Sequence, residues 1–131
     1  MIILIILLAS LFVGGGASTV LTYVQGHTPA EIKKVVKKEV ADEKRKDAAL
    51  EIVDEWAKED KKQDKALGKE RKELLKIVTR YDAQRTETEP FTARIDASIH
   101  EADRRFLDMR FQLKKQLTKA EWDAAVVRLN Q

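Results

Sequence analysis

The sequence predicts an all-α protein. It comprises one N-terminal transmembrane helix, a long charged amphipathic helix, and an antiparallel helical hairpin with a short C-terminal helix. Three observations carry this. Met1 to Gly26 hold no charged side chain, while the rest of the 131-residue chain holds all 25 basic and 22 acidic residues. Beyond Gly26, only Gly68, Pro29 and Pro90 interrupt the chain, a scarcity that favours helix over sheet. The apolar residues of this charged part recur at three- and four-residue intervals, the period of one helix face.

A chain so charged cannot bury a thick core, and it fits long helices with one apolar stripe each. The net charge of +3 arises from interspersed charges. A nucleic-acid binder would gather a larger surplus on one face, so no nucleic-acid partner is expected. The absence of cysteine excludes disulfides, thiolate zinc sites and thiol catalysis. No Gly-rich phosphate loop or nucleophile elbow occurs. The expectation is therefore a non-enzymatic protein with no cofactor and no small-molecule substrate.

Residues 1–26 form the anchor region. Ile2 to Val13 is almost wholly Ile, Leu, Val and Phe, and Val20 to Val24 resumes after a run of small residues. About 23 helical residues span roughly 34 Å, enough to cross a bilayer with some tilt. A cleaved signal peptide would use the same apolar run, but no Lys or Arg precedes Lys33 to make its basic n-region, so an uncleaved signal-anchor is favoured. Ser10, Gly14 and Ser18 lie four apart with Gly15 beside them, a small-residue face that lets another helix approach closely in lipid. Lys33, Lys34, Lys37 and Lys38 follow the span and are placed to contact headgroups. The positive-inside rule puts the body in the cytoplasm, whereas a signal-anchor can export it, so its side of the membrane stays open.

Residues 27–48 read as a juxtamembrane basic amphipathic helix. Thr28, Pro29 and Glu31 supply a cap, a first-position proline and a capping-box partner. Ile32, Val35, Val36 and Val40 share one face. Residues 49–131 read as a coiled-coil-like hairpin body. The stripe of Ala49, Val53, Trp56, Leu67, Leu74, Val78 and Tyr81 is rotated by roughly 120° from the first. One straight helix cannot press both stripes on one partner, so either it bends near 41–48 or the two segments contact different neighbours.

Thr86 to Pro90 reads as the hairpin loop, because Pro90 disfavours α conformation at Glu89. The stripe that follows is Phe91, Ile95, Ile99, Ala102, Phe106, Met109, Leu113 and Leu117, with Leu107 and Phe111 widening it. Thr118 and Glu121 form a second capping box, opening a helix with Trp122, Val126 and Leu129. A short loop makes neighbouring helices antiparallel. The Leu67–Tyr81 face therefore pairs with the Phe91–Leu117 face, leaving other faces for a partner. Trp122 and Trp56 are candidate partner anchors, though ordinary core packing is the simpler reading of both.

His100 and Asp96, four apart on a helix, are the residues best placed for a metal, though a solvated surface pair is the simpler reading. Glu51, Asp54, Glu55, Glu59 and Asp60 interleave with lysines and read as a solvated face rather than acid–base machinery.

Leu117-Thr118-Lys119-Ala120-Glu121 resembles, over five residues and with glutamate for glutamine, the Leu-Thr-x-x-Gln element of periplasmic helical stress chaperones and metal sensors. The layout of anchor and helices is similar to that of inner-membrane phage spanins and stator-type membrane subunits. The expected role is a structural or adaptor subunit of a membrane-associated complex, bound to membrane lipid and to another membrane protein or to itself. The resemblances imply two alternatives, a periplasmic helical stress or metal sensor or chaperone, and a spanin-like lysis protein.

Overall fold

The computed structural model describes residues 27–131, and the expected anchor with its Ser10, Gly14, Gly15 and Ser18 face lies outside them. The described chain is all-helical, with α1 Pro29–Glu39, α2 Glu43–Val78, α3 Arg85–Gln116 and α4 Lys119–Leu129. None of these helices is long and apolar enough to cross a membrane. The chain divides into two compact units, each drawing on both α2 and α3. One is Asp60–Asp103; the other combines the described part of Gln25–Glu59 with Arg104–Gln131.

The four-helix unit begins where the capping signals place it. The Thr28 hydroxyl accepts from the Glu31 N–H, and the Glu31 carboxylate accepts from the Thr28 N–H at 2.8 Å. Pro29 occupies the first turn, where its missing N–H costs nothing. The α1 helix then ends at Val40, whose backbone is extended (φ −85°, ψ 115°). Asp42 restarts the chain, its carboxylate accepting the Arg45 N–H at 2.8 Å, which satisfies one orphan donor of α2.

This break resolves the phase conflict. Ile32, Val36 and Val40 join Ala49, Val53 and Trp56 of α2 and Met109 and Leu113 of α3 in one core. Val40, Ala49 and Val53 are at most 1% exposed. Of the two outcomes the sequence leaves open, the chain takes a sharper form of the first, a break rather than a bend. Both stripes then reach one core. Lys33 of α1 and Asp54 of α2 come within 2.6 Å.

Thr118 and Glu121 form the second capping box. Arg45 locks this corner by donating to the Gln116 carbonyl at 2.9 Å and to Glu121 at 2.8 Å. It thereby fills an unsatisfied carbonyl at the end of α3 and pairs with a carboxylate only 12% exposed. Arg128 of α4 pairs with Glu39 of α1.

The hairpin unit buries Leu67 and Leu74 of α2 against Ile95, Ile99 and Ala102 of α3, with Phe91 packed alongside. Two expectations fail here. Val78 is 42% exposed and Tyr81 fully so, because α2 stops at Val78 and Tyr81 falls in the loop. The loop is residues 79–84, not 86–90, and Pro90 lies inside α3. Local bonds start the helix early: Glu87 reaches back to the Gln84 N–H at 2.7 Å and pairs with Arg80 at 2.5 Å. Pro90 is exposed, in the second turn of the helix, and costs the bond it would have given the Thr86 carbonyl. Leu107 and Phe111 do not widen the core stripe of α3; they are 46% and 61% exposed.

Gly68 lies in the middle of α2, and a Cβ built there meets nothing within 4 Å. Gly68→Ala is therefore expected to stabilise the protein by about 1 kcal/mol, read as a rise in the urea midpoint at unchanged slope. A fall in the midpoint would contradict a regular, uncrowded helix at this position.

Candidate functional site

An apolar recess lies in the four-helix unit, between α1, the C-terminal part of α3, and α4. It is a cavity of about 340 Å³, within the range of ligand-sized pockets. Its walls are apolar: Ile32, Val35 and Val36 from α1, Phe106, Met109, Leu113 and Leu117 at the α3 end, and Trp122, Ala125, Val126 and Leu129 from α4. Two short helices, each with a single apolar stripe, meet here the stripe at the end of α3. His27, Arg110 and Asn130 supply the polar part of the lining. The Arg110 guanidinium lies 5.5 Å from the centroid of the Trp122 ring, a cation–π distance.

A second recess of about 390 Å³ shares His27, Val35 and Leu129 with the first and adds Glu31, Lys34, Lys38 and Arg128. Glu31 is engaged by the α1 cap, and Arg128 by Glu39. Lys34, Lys38 and Arg110 form no ion pair among the described residues. The apolar groove therefore opens beside uncommitted positive charge.

A polar layer occupies the hairpin unit. Asp60 and Gln63 are 8% and 9% exposed, and Gln63 donates from Nε2 to the Ser98 carbonyl at 2.5 Å. Asp64 is half-buried, and its Oδ1 has no hydrogen bond among the described residues. Burial, and secondarily the neighbouring Asp60 carboxylate, push the Asp64 carboxyl up to about 6. The solvated reading of the acidic run holds for Glu51, Asp54, Glu55 and Glu59, which are exposed. It fails for Asp60, which a four-residue step from the Trp56 position turns inward. Gln63 and Asp64 carry no signal in the sequence, since a polar residue on a narrow stripe gives no periodicity.

The remaining expected site residues fall in separate places. Leu67, Leu74, Ile95 and Ile99, with half-buried Phe91, belong to the hairpin core, and Met109, Leu113, Phe106, Leu117 and Trp122 to the four-helix core. Trp56 is buried at 5% exposure, with its ring 5.6 Å from Phe106, so it serves the core. Its indole N–H has no acceptor among the described residues. Lys33 is committed to Asp54, while Lys34, Lys37 and Lys38 are exposed. His100 is exposed and Asp96 half-buried. Among the described residues no group of three or more His, Cys, Asp or Glu side chains is gathered to hold a metal ion. At the α4 cap, burial raises the Glu121 carboxyl, but hydrogen bonds from Arg45 and Thr118 outweigh it and hold the group below its ordinary value.

Comparison with protein-family models, curated proteins and solved structures returned no match.

The Asp64 shift has a definite sign. A carboxyl whose folded pKa exceeds its ordinary 3.8 binds its proton more tightly in the folded state. The stability it adds is complete below pH about 4 and is lost as pH rises through about 6. Asp64→Asn is expected to flatten the pH dependence of the denaturation midpoint between pH 4 and 6 and to raise stability at pH 7. Parallel pH profiles for the two proteins would show that Asp64 is ordinarily solvated.

Proposed function

We propose that this chain is a non-enzymatic, single-pass membrane-anchored helical protein that acts as a structural or adaptor subunit of a membrane-associated complex. The observation that carries the reading is the charge division. Twenty-six opening residues hold no charge, and a body in which nearly half the residues are charged follows directly. Such a body is too polar to enter lipid, and such an opening segment is long and apolar enough to span it. The helices described support the second half of the reading. Leu75, Val78 and Tyr81 on one unit, and Leu107 and Phe111 on the other, are apolar groups left in solvent. Pairs at three- and four-residue spacing on a helix are the form in which helical partners are gripped. In this reading the body needs a partner surface rather than a substrate cleft.

Membrane fractionation of the full chain, tagged after Gln131, tests the anchor. The protein is expected to remain in membranes through an alkaline carbonate wash, with an intact mass that includes Met1 to Gly26, and to become soluble when residues 1–26 are deleted. Recovery of a trimmed, carbonate-soluble monomer would overturn the reading.

A further inference from the structure

We propose that the apolar groove of the four-helix unit takes one acyl chain of an anionic phospholipid from the adjacent membrane leaflet. The proposal rests on the membrane-anchored reading above. Three observations select this occupant. The groove is lined mainly by apolar side chains, among them Ile32, Val36, Met109, Leu113 and Trp122, and holds about 340 Å³. That suits a single flexible hydrocarbon chain rather than a polar ligand. Its mouth carries charge of one sign to spare: Lys34 and Lys38 in the adjoining recess and Arg110 over Trp122 have no carboxylate partner among the described residues. An anionic headgroup completes that rim, whereas a neutral one leaves it unmatched. His27, which lines both recesses, follows directly on the uncharged opening segment. The groove therefore lies close in sequence to the point where the chain would leave the bilayer.

The chain has two tryptophans, Trp56 and Trp122, so Trp56→Phe leaves Trp122 as a sole reporter inside the groove. The full-length Trp56→Phe protein is reconstituted into phosphatidylcholine vesicles containing phosphatidylglycerol, with bromine on the acyl chains of one lipid or the other. Flotation is scored first, then quenching of Trp122. Brominated phosphatidylglycerol is expected to quench more strongly than brominated phosphatidylcholine at equal content. Val126→Phe, which fills the groove, should abolish the difference. Lys34→Gln with Lys38→Gln, both at exposed positions, should weaken the preference by on the order of fivefold per lysine.

Failure to float would overturn the anchored reading and the proposal with it. Flotation without quenching overturns the proposal alone, as it would if the chain's own apolar residues or a second copy filled the groove. Equal quenching by both lipids, or quenching unchanged by Val126→Phe and by the lysine substitutions, also overturns it, because proximity to the bilayer would then be the cause.

Discussion

The structure depends on the break at Val40–Asp42. Each described helix has one narrow apolar stripe, too little to hold it alone, and the stripes before and after residue 41 point in different directions. Ending α1 at extended Val40 and restarting α2 at Asp42 folds the two stripes into a single core. Without that turn, Ile32, Val36 and Val40 would be carried away from Ala49, Val53 and Trp56, and Met109 and Leu113 would lose the α1 side of their core.

The other features of the four-helix unit follow from it. Once α1 is turned back, Glu39 meets Arg128 and Lys33 meets Asp54, and Arg45 is placed to gather the Gln116 carbonyl and Glu121. Exposed pairs such as Lys33–Asp54 contribute little energy individually. The Arg45 cluster is better shielded and does more to fix geometry, because it joins the end of α3 to the start of α4 through one guanidinium. The corner so formed cannot be filled by the apolar side chains available, and the groove between α1, α3 and α4 is what remains. Its basic mouth and apolar depth give the body an amphipathic recess beside the start of the described chain.

Much of this was legible in the residues and some of it was not. Capping boxes are local, so Thr28–Glu31 and Thr118–Glu121 announce their helices without tertiary information. The Phe91–Leu117 stripe is equally plain, and its eight residues divide between the two cores at Ala102 and Phe106. The phase change implies a bend near 41–48 or separate neighbours, but it does not single out a break at Asp42, one polar residue among many. Pro90 points to a loop at 86–90, but Glu87 holding the Gln84 N–H starts α3 five residues earlier. Tyr81 continues the apolar stripe in the sequence, but α2 ends at Val78. The buried Asp60, Gln63 and Asp64 and the groove itself are products of three-dimensional packing, and no spacing in the sequence encodes them.

The break makes one distance decisive. The Lys33 ammonium and Asp54 carboxylate are 2.6 Å apart, whereas a continuous helix would separate residues 33 and 54 by about 32 Å along its axis, at 1.5 Å per residue. Nitroxide labels on Lys33→Cys and Asp54→Cys, in a chain with no cysteine of its own, report that distance by electron paramagnetic resonance. Strong short-range dipolar broadening is the expected result. A narrow distribution near the length of an unbroken helix would contradict the account.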